Sequence, residues 1–312
     1  MVSWTQTLAY RRRRAQIVGA LLLFVVLFFS CLAYAYFIEP YRLVVNQSTL
    51  TIKGWNPAFD GLKIVMIGDV HGGSNGVDEE KLRLVVERTN EQNADLVMLL
   101  GDYVAQAHGD KPLRQRNLRM PIDAIANGLS GIKATYGVYA VLGNHDGWYG
   151  DDKVAAEFTR VGYKVLQNEV AVIDKNGQHL RLLGFKDHLE LNKTWQQTSN
   201  DGKRLLAPTG DGDIIALEHS PDILPVITGE LSISPSLKLI LAAHTHGGQV
   251  WFPILERPIV PSIFGQKYAY GHVKQNDVDM FVTSGVGMSV LPIRFMVPPE
   301  IAVLTIRSEP QG

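Results

Sequence analysis

The chain has 312 residues, of which 46% are hydrophobic and 20% charged, an ordinary composition for a globular protein with room for one large domain and an appendage. Its formal net charge of -1 provides no overall attraction to nucleic acid, and we expect no nucleic-acid partner. The single cysteine, Cys31, excludes an intrachain disulfide and any cluster of thiolate metal ligands.

The N-terminal segment predicts a membrane-spanning helix. Arg11–Arg14 form a basic block, and the run from Ala15 to Phe37 has no charged residue and is long enough to cross a bilayer. A signal peptide cleaved after Ala33-Tyr34-Ala35 and a lipid-modified Cys31 are the alternatives, but the length of the apolar run favours an uncleaved anchor. Basic residues flanking a span stay in the cytoplasm. We therefore expect a single-pass protein of the inner or plasma membrane, with the part of the chain after the span, including its large domain, outside the cytoplasm.

The sequence divides into three segments. Residues 1–37 form the basic segment and transmembrane anchor, and residues 38–60 form a juxtamembrane arm with a short strand within 41–54. Residues 61–312 show no internal repeat and no low-complexity linker, so we expect one further domain there.

The first half of this domain alternates strands and helices. Buried strands are predicted within 62–69, 94–102 and 137–146, each a continuous apolar run that ends in Gly-Asp or Gly-Asn. Helical spacing occupies 78–92, with Asp78 as the N-cap, and 151–162. A polar, helix-compatible segment extends to about Leu129. This alternation predicts an α/β sheet with helices packed outside it.

The second half has more strands and shorter connections. Apolar strand patterns lie within 164–174, 180–186, 213–220, 237–246, 279–287 and 300–308. One domain with two packed sheets is the simplest architecture that accounts for both halves.

Polar side chains with nitrogen or oxygen donors follow five of these strands. In chain order they are Asp69 and His71, Asp102, Asn144 with His145 and Asp146, His219, and His244 with His246. Ligands of open α/β sheets bind beyond the carboxyl ends of the strands. We therefore expect these side chains to meet at one edge, and the adjacent Gly72, Gly73, Gly247 and Gly248 to let the backbone turn beside them.

The donor types predict a metal site. Carboxylate, amide and imidazole donors without sulfur suit Mn, Fe, Zn, Co or Ni more than a structural zinc site. The donors are too many for one ion, and a shared carboxylate between two ions would use them all. Each residue alone is weak evidence, because Gly-Asp after a strand is common turn chemistry and a lone histidine is usually only polar.

Taken together, the motifs resemble the calcineurin-like metallophosphoesterases over about residues 62–307. The family pattern D-x-H, GD, GNH[DE], H and H-x-H stands here as Asp69-Val70-His71, Gly101-Asp102, Gly143-Asn144-His145-Asp146, His219 and His244-Thr245-His246. The resemblance implies a four-layer α-β-β-α sandwich of two mixed sheets with two divalent metal ions at the strand ends.

The resemblance also implies a role for each residue. Asp69, His71 and His246 would hold the first ion, Asn144, His219 and His244 the second, and Asp102 would bridge them. His145 would face the substrate rather than a metal and act as the catalytic residue, because it could donate a proton to the leaving oxygen or stabilise its charge while water attacks phosphorus in line.

Two positions depart from the family pattern. Ala243 replaces the glycine of a common GHTH run, which an ordinary β backbone tolerates. The protein-phosphatase branch has an Asp-Arg pair after GD, whereas this chain has Ala105 and Gln106, which argues against phosphoprotein activity. The carboxylate partner of His145 is also missing, and Asp146 is one candidate to orient the ring instead.

The runs "HTHGGQV", "SGVGMSVLPIRF" and "PPEIAVLTI" resemble the membrane-anchored bacterial branch of the YkuE and YaeI type, which includes UDP-2,3-diacylglucosamine pyrophosphatases. This implies hydrolysis of a phosphodiester or pyrophosphate bond, with lipid-linked and UDP-sugar-lipid compounds among the candidate substrates. The partners expected are the bilayer and the substrate, and no obligate protein partner is evident. A broad phosphomonoesterase and a non-catalytic metal-binding module are the alternatives, although the motif set lacks no member.

The apolar, proline-rich segment 250–265 follows the last histidines directly. It is either a core-facing loop or an exposed apolar rim that contacts lipid.

Overall fold

The computed structural model describes residues 4–187, 194–253 and 256–309. Its first element is the helix α1 (Trp4–Phe37), whose large apolar side chains between Ile17 and Phe29 are 45–66% exposed. The stretch Arg11–Tyr41 is long and apolar enough to cross a membrane. The predicted helix is therefore confirmed, and its length and composition suit a membrane anchor and a signal sequence alike.

The first sheet has the strand order β1-β12-β2-β3-β4-β5. Its strands are β1 (Val44–Ile52), β2 (Leu62–Ile67), β3 (Leu96–Leu100), β4 (Val138–Val141), β5 (Lys164–Val165) and β12 (Glu300–Ser308). β2 to β5 are parallel, whereas β12 is antiparallel to β2 and parallel to β1. β1 lies within the predicted arm and pairs with β12 along its whole length. The boundaries of arm and domain at residues 38 and 61 stay predictions.

The second sheet has the strand order β10-β11-β9-β8-β7-β6. Its strands are β6 (Glu169–Lys175), β7 (Gln178–Gly184), β8 (Asp213–Leu217), β9 (Leu237–Ala242), β10 (Gly271–Gln275) and β11 (Val278–Val282). The central strands are parallel, and hairpins add an antiparallel strand at each edge. Both sheets are therefore mixed, as predicted.

Three apolar clusters divide the domain into layers. One lies between the sheets and joins side chains such as Met66 and Met98 to Leu182 and Leu241. A second packs the outer face of the first sheet against α2 (Glu79–Asn90), α3 (Ile122–Gly128) and α5 (Asp151–Arg160). The third packs the outer face of the second sheet against α6 (Trp195–Leu206) and α7 (Leu224–Ile227). The order helix, sheet, sheet, helix is the predicted four-layer sandwich.

Two local patterns decide element boundaries. The side chain of Asp78 accepts a hydrogen bond from the Lys81 N–H at 2.8 Å, which confirms the predicted N-cap of α2. The segment from Asp102 to Pro121 is mostly irregular, so the predicted helix-compatible stretch gives only the short α3. Gly109, Pro112 and Pro121 interrupt helical hydrogen bonding along this segment.

Candidate functional site

The predicted polar residues meet at one end of the sandwich. Asp69 and His71 follow β2, Asp102 follows β3, and Asn144 and His145 begin the short helix α4 (Asn144–Tyr149) after β4. His219 follows β8, and His244 and His246 follow β9. Three strands of the first sheet and two of the second thus deliver the eight side chains, as the sequence predicts.

The backbone at this end is strained. Asp69, His71, Asp102, His244 and His246 all have a positive φ, between 43° and 70°. Residues other than glycine rarely adopt this conformation, which costs about 1–3 kcal/mol each and is common at functional sites. The fold holds these side chains at positions that local preference does not favour.

One group of donors contains Asp69, His71 and His246, whose nearest ligand atoms lie within 4.8 Å of one another. Nε2 of His71 lies 3.2 Å from Nε2 of His246, and Nε2 of His246 lies 4.0 Å from Oδ1 of Asp69. The three side chains are almost completely buried.

A second group contains Asp102, His219 and His244, again within 4.8 Å. Oδ2 of Asp102 lies 3.2 Å from Nε2 of His219 and 3.5 Å from Nε2 of His71. Asp102 therefore lies between the two groups, with one oxygen near a histidine of each. The ligand atoms of a third set, His71 with Asp102 and His145, also lie within 4.8 Å of one another.

Backbone carbonyls orient two of the imidazoles. Nδ1 of His71 donates to the carbonyl of Val104 at 3.2 Å, and Nδ1 of His219 donates to the carbonyl of Leu100 at 2.7 Å. These bonds turn each Nε2 toward the centre. Histidines that bind metal are usually fixed in this way through their other nitrogen.

Burial and charge set the protonation of the cluster. Burial lowers the pKa of His71 to about 3 and raises the pKa of Asp69 to about 7. Burial also disfavours ionised Asp102, but the charges of His219 and His145 hold the pKa of this carboxyl well below its usual range. Two carboxylates facing several imidazoles favour positive charge at the centre, as a proton or as a metal ion.

The backbone and the packing around the cluster explain why glycine or alanine stands at three positions beside it. A Cβ on Gly143 would lie within 2.8 Å of the Asp102 backbone and carboxylate, so only glycine leaves room for that side chain. Gly247 has a φ of 58° directly after His246. Ala243, the predicted departure from the family pattern, has no positive φ, and its methyl group occupies space beside Gly68, which has no side chain.

The ring of His145 is held by a residue that sequence reasoning did not assign. Nδ1 of His145 lies 2.6 Å from Oε1 of Gln106, and Nε2 of Gln106 donates to the backbone carbonyl of His145 at 2.9 Å. The second bond fixes the amide so that its oxygen faces the ring. His145 is therefore protonated at Nδ1, and its Nε2 faces the cavity, 3.5 Å from Oγ of Ser289.

Asp146 does not orient His145. Its carboxylate accepts hydrogen bonds from the N–H groups of Gly143 and of Asp102, Tyr103 and Val104, at 2.8–3.2 Å. Asp146 thus ties the loop after β3 to the start of α4. One sequence signal could have identified Gln106. It stands four residues after Asp102, at a position where this chain differs from the protein-phosphatase branch.

Two cavities meet at His145. One, of about 220 Å³, is lined by Asp102, Asn144, His244 and His246 and by the apolar side chains of Trp148, Val250, Ile259, Pro261, Val290 and Leu291. The other, of about 270 Å³, shares His145 with the first and contains His108, Arg116 and Arg119. An apolar chamber and a cationic chamber therefore flank the same imidazole, and Val290 borders both.

The proline-rich segment 250–265 is partly exposed. Phe252, Ile259, Ile263 and Phe264 are 38%, 57%, 71% and 38% exposed, whereas residues 254 and 255 lie outside the described residues. The described part therefore favours the apolar rim over the core-facing loop.

The comparisons with known proteins agree with this geometry. A family model described as calcineurin-like phosphoesterase matches residues 62–248. The chain is 29% identical over 278 residues to the uncharacterized metallophosphoesterase YkuE of Bacillus subtilis, covering 88% of this chain and 89% of that protein. It is 26% identical over 282 residues to the phosphodiesterase YaeI of Escherichia coli, covering 89% and 93%.

A longer relative comes from Danio rerio. The chain is 27% identical over 257 residues to that organism's transmembrane protein with metallophosphoesterase domain. The match covers 80% of this chain but only 54% of the relative.

Proposed function

The chain belongs to the calcineurin-like phosphoesterases, in the branch of YkuE and YaeI, and is a metal-dependent phosphoester hydrolase; from this premise we propose a more specific function. It is a membrane-anchored enzyme that uses two divalent ions to hydrolyse a phosphodiester or pyrophosphate bond in an amphipathic, lipid-linked substrate. Residues 61–312 form its catalytic domain, and α1 holds that domain at the membrane.

The observation that carries the proposal is a set of buried donor atoms without hydrogen-bond partners. Within the described residues, Oδ2 of Asp69, Oδ1 of Asn144 and Nδ1 of His246 have none. A buried polar atom without a partner is costly, and such atoms are rare in native proteins. Three of them at one cluster of carboxylates and imidazoles fit a site built for cations.

The residues therefore fit two divalent ions. Asp69, His71 and His246 would hold one, Asn144, His219 and His244 the other, and the intermediate position of Asp102 suits a bridge. The absence of sulfur favours Mn, Fe, Zn, Co or Ni. When bound, such ions supply Lewis-acid activation of water and of the phosphoryl group.

The protein side of the mechanism rests on His145. The N–H of His145 donates to Oδ1 of Asp102 at 2.8 Å, which couples the position of the ring to the carboxylate between the two groups. Gln106 accepts the hydrogen bond from Nδ1–H, so Nε2 faces the cavity, and in the imidazolium form, which is protonated at both nitrogens, the ring can deliver the Nε2 proton to the leaving oxygen and become neutral. Trp148, whose ring centre lies 4.6 Å from that of His145, excludes water from one side of the imidazole.

The two chambers support a substrate with unlike groups on either side of phosphorus. The apolar chamber suits a hydrocarbon substituent. The cationic chamber suits an anionic one, and in the described part of the chain neither Arg116 nor Arg119 forms a salt bridge with a carboxylate. A phosphodiester or pyrophosphate has two such substituents, whereas a monoester has one.

A substrate screen with the metal-loaded chain tests the proposal. The purified chain is reconstituted with each divalent ion, its metal content is measured, and hydrolysis is compared for phosphodiesters, pyrophosphates and phosphomonoesters, with and without acyl chains. We expect close to two ions per chain and the highest kcat/KM for acylated diesters or pyrophosphates. A clear preference for soluble monoesters would favour the broad phosphomonoesterase, and full metal loading without any turnover would favour a binding module.

A further inference from the structure

The surface around the mouth of the apolar chamber is itself apolar. We define the apolar rim as Phe252, Ile259, Val290 and Leu291, whose side chains are 38%, 57%, 89% and 39% exposed. Ile259, Val290 and Leu291 also line the chamber. Exposed apolar side chains grouped at the mouth of a site mark a surface that contacts another apolar body.

Val290 is the least expected member of the rim. It has a φ of 60°, a left-handed conformation that is an outlier for a β-branched residue. This backbone costs about 1–3 kcal/mol, and at 89% exposure the side chain recovers little of it by packing within the fold. Folding therefore does not explain why a valine stands there, whereas contact with an apolar partner does.

The rim is attached to the end of α1 on one side. The N–H of Arg294 donates to the carbonyl of Ala35 at 3.0 Å, and Asn75 donates to the carbonyls of both Tyr36 and Pro292. The rings of Tyr34 and Phe295 pack edge to face at 6.3 Å. The loop that carries Val290 and Leu291 is thus bonded to the last turn of the helix.

Phe252, on the other loop of the rim, contacts Phe295, the same residue that packs against Tyr34 of α1. The rings of Phe252 and Phe295 lie 5.4 Å apart, and the N–H of Trp251 donates to the carbonyl of Phe295 at 2.9 Å. Tyr36, Phe37 and Tyr41, at the same end of α1, are 38%, 69% and 54% exposed. Exposed aromatic residues at the end of a span mark the level of the membrane interface, so the rim lies at that level.

We propose that the apolar rim lies in the interfacial layer of the bilayer that α1 crosses, so that the apolar chamber opens toward lipid. The inference rests on the proposed membrane span. A substrate with acyl chains then reaches His145 from the bilayer, without passing through water. The cationic chamber, which also borders His145, receives the polar part.

Site-directed fluorescence on the full chain tests this placement. Cys31 is the single cysteine and is exposed on α1, so the wild-type chain labelled there with an environment-sensitive dye reports whether α1 is embedded. Cys31→Ser chains that carry Val290→Cys or Ile259→Cys report on the rim. Cys31→Ser with Val172→Cys is the matched control, because Val172 is 44% exposed on β6, at the edge strand of the second sheet.

Each chain is placed in phosphatidylcholine nanodiscs at one copy per disc, with and without phospholipid that carries a spin label near the headgroup. We expect blue-shifted emission and quenching at positions 290 and 259, and neither at position 172. Quenching at Cys31 with none at 290 and 259 would overturn the inference while leaving the anchor intact. A blue shift that needs two copies per disc would assign the rim to a second chain instead. Phosphodiester hydrolysis by the unlabelled wild-type chain in the same nanodiscs tests the proposed function separately.

Discussion

At the scale of single residues, an amide holds His145 where a carboxylate would be the familiar partner. A carboxylate stabilises the imidazolium, whereas the oxygen of Gln106 orients the ring without adding charge. The sequence located His145 and its neighbours because each follows an apolar strand in a recognisable order. It could not locate Gln106, because that contact depends on how the irregular segment after β3 folds back toward α4.

Removing the imidazole should separate catalysis from metal binding. We expect His145→Ala to lower kcat by about 10²–10⁴-fold while the metal content stays near that of the wild type, because the proposed ligands are intact. Asp102→Ala should instead lose metal, since its carboxylate lies between both groups of donors. Rates with p-nitrophenyl and alkyl leaving groups, together with metal analysis, check this. Loss of metal from His145→Ala would identify His145 as a ligand.

A change at Gln106 should act through His145. Gln106→Leu removes the acceptor for Nδ1, so we expect a loss of up to about 10²-fold with alkyl leaving groups, because a misplaced catalytic group is costly. The loss should be smaller with p-nitrophenolate, which leaves without protonation. Gln106→Glu keeps an acceptor and should restore much of the rate. Equal losses for both leaving groups, with no rescue by glutamate, would reduce Gln106 to a purely structural role.

At the scale of elements, one buried arginine holds together the loop between β11 and β12, which carries Val290 and Leu291 of the apolar rim. Arg294 is fully buried and donates to the carbonyls of Ser284, Gly285, Gly287 and Val297 at 2.6–3.3 Å. Backbone carbonyls of one loop therefore surround its guanidinium. Sequence patterns gave no sign of this arrangement, because an arginine in a loop is ordinarily exposed.

Replacing this arginine should destabilise the chain. Arg294→Met leaves several buried carbonyls without donors, so we expect the free energy of unfolding to fall by roughly 3 kcal/mol or more. Arg307→Met is the matched control, because Arg307 is 54% exposed and pairs with Asp60 at the surface. Thermal unfolding in detergent micelles compares the two. Equal and small shifts in Tm would show that water or neighbouring groups replace the guanidinium.

Lys81 links α2 to the short turn that follows α1, and it should make stability depend on pH. Its ammonium group donates to the carbonyls of Pro40 and Tyr41, and burial, followed by the charge of Arg294, lowers its pKa to about 8. The unfolded chain keeps this proton up to about pH 10.4, so folding is penalised below pH 8 and the penalty disappears as pH rises toward 10. The wild type should therefore gain stability relative to Lys81→Met between pH 7.5 and 9.5. Parallel unfolding curves at both pH values would contradict this.

The elements that sequence patterns missed have few apolar residues. Thr194 is the N-cap of α6, and its side chain and that of Gln197 form a reciprocal capping box. That Thr-x-x-Gln signal was readable, but the buried face of α6 is formed mostly by Thr198, Ser199 and Gly202, which do not mark an apolar face in the sequence. The short strand β10 alternates half-buried and exposed residues at a sheet edge, where burial no longer marks a strand. Patterns of hydrophobicity thus identify the buried central strands that carry the site better than they identify the outer helix α6 and the edge strand β10.

At the scale of the whole molecule, the basic block before the proposed span predicts how the chain is oriented in the membrane. Arg11–Arg14 precede the apolar stretch of α1, so we expect the catalytic domain to lie outside the cytoplasm. Alkaline phosphatase fused after residue 312 should be active in bacterial cells, and a cytoplasm-dependent fluorescent protein at the same position should be dark. The opposite pair of results would reverse the topology and place the apolar rim on the cytoplasmic leaflet.

The pairing of β1 with β12 sets the order in which the chain can fold. β1 is made soon after α1, yet its described strand partner begins at Glu300, opposite Val44. During synthesis β1 therefore lacks this partner strand until almost the whole domain has been made. Such distant pairing slows folding and leaves an unpaired edge exposed to aggregation. Because β12 also hydrogen-bonds to β2, the sheet that presents Asp69 and His71 is complete only when the last strand arrives. A ribosome that stalls late would release a chain in which β1 and β2 both lack the strand that lies between them.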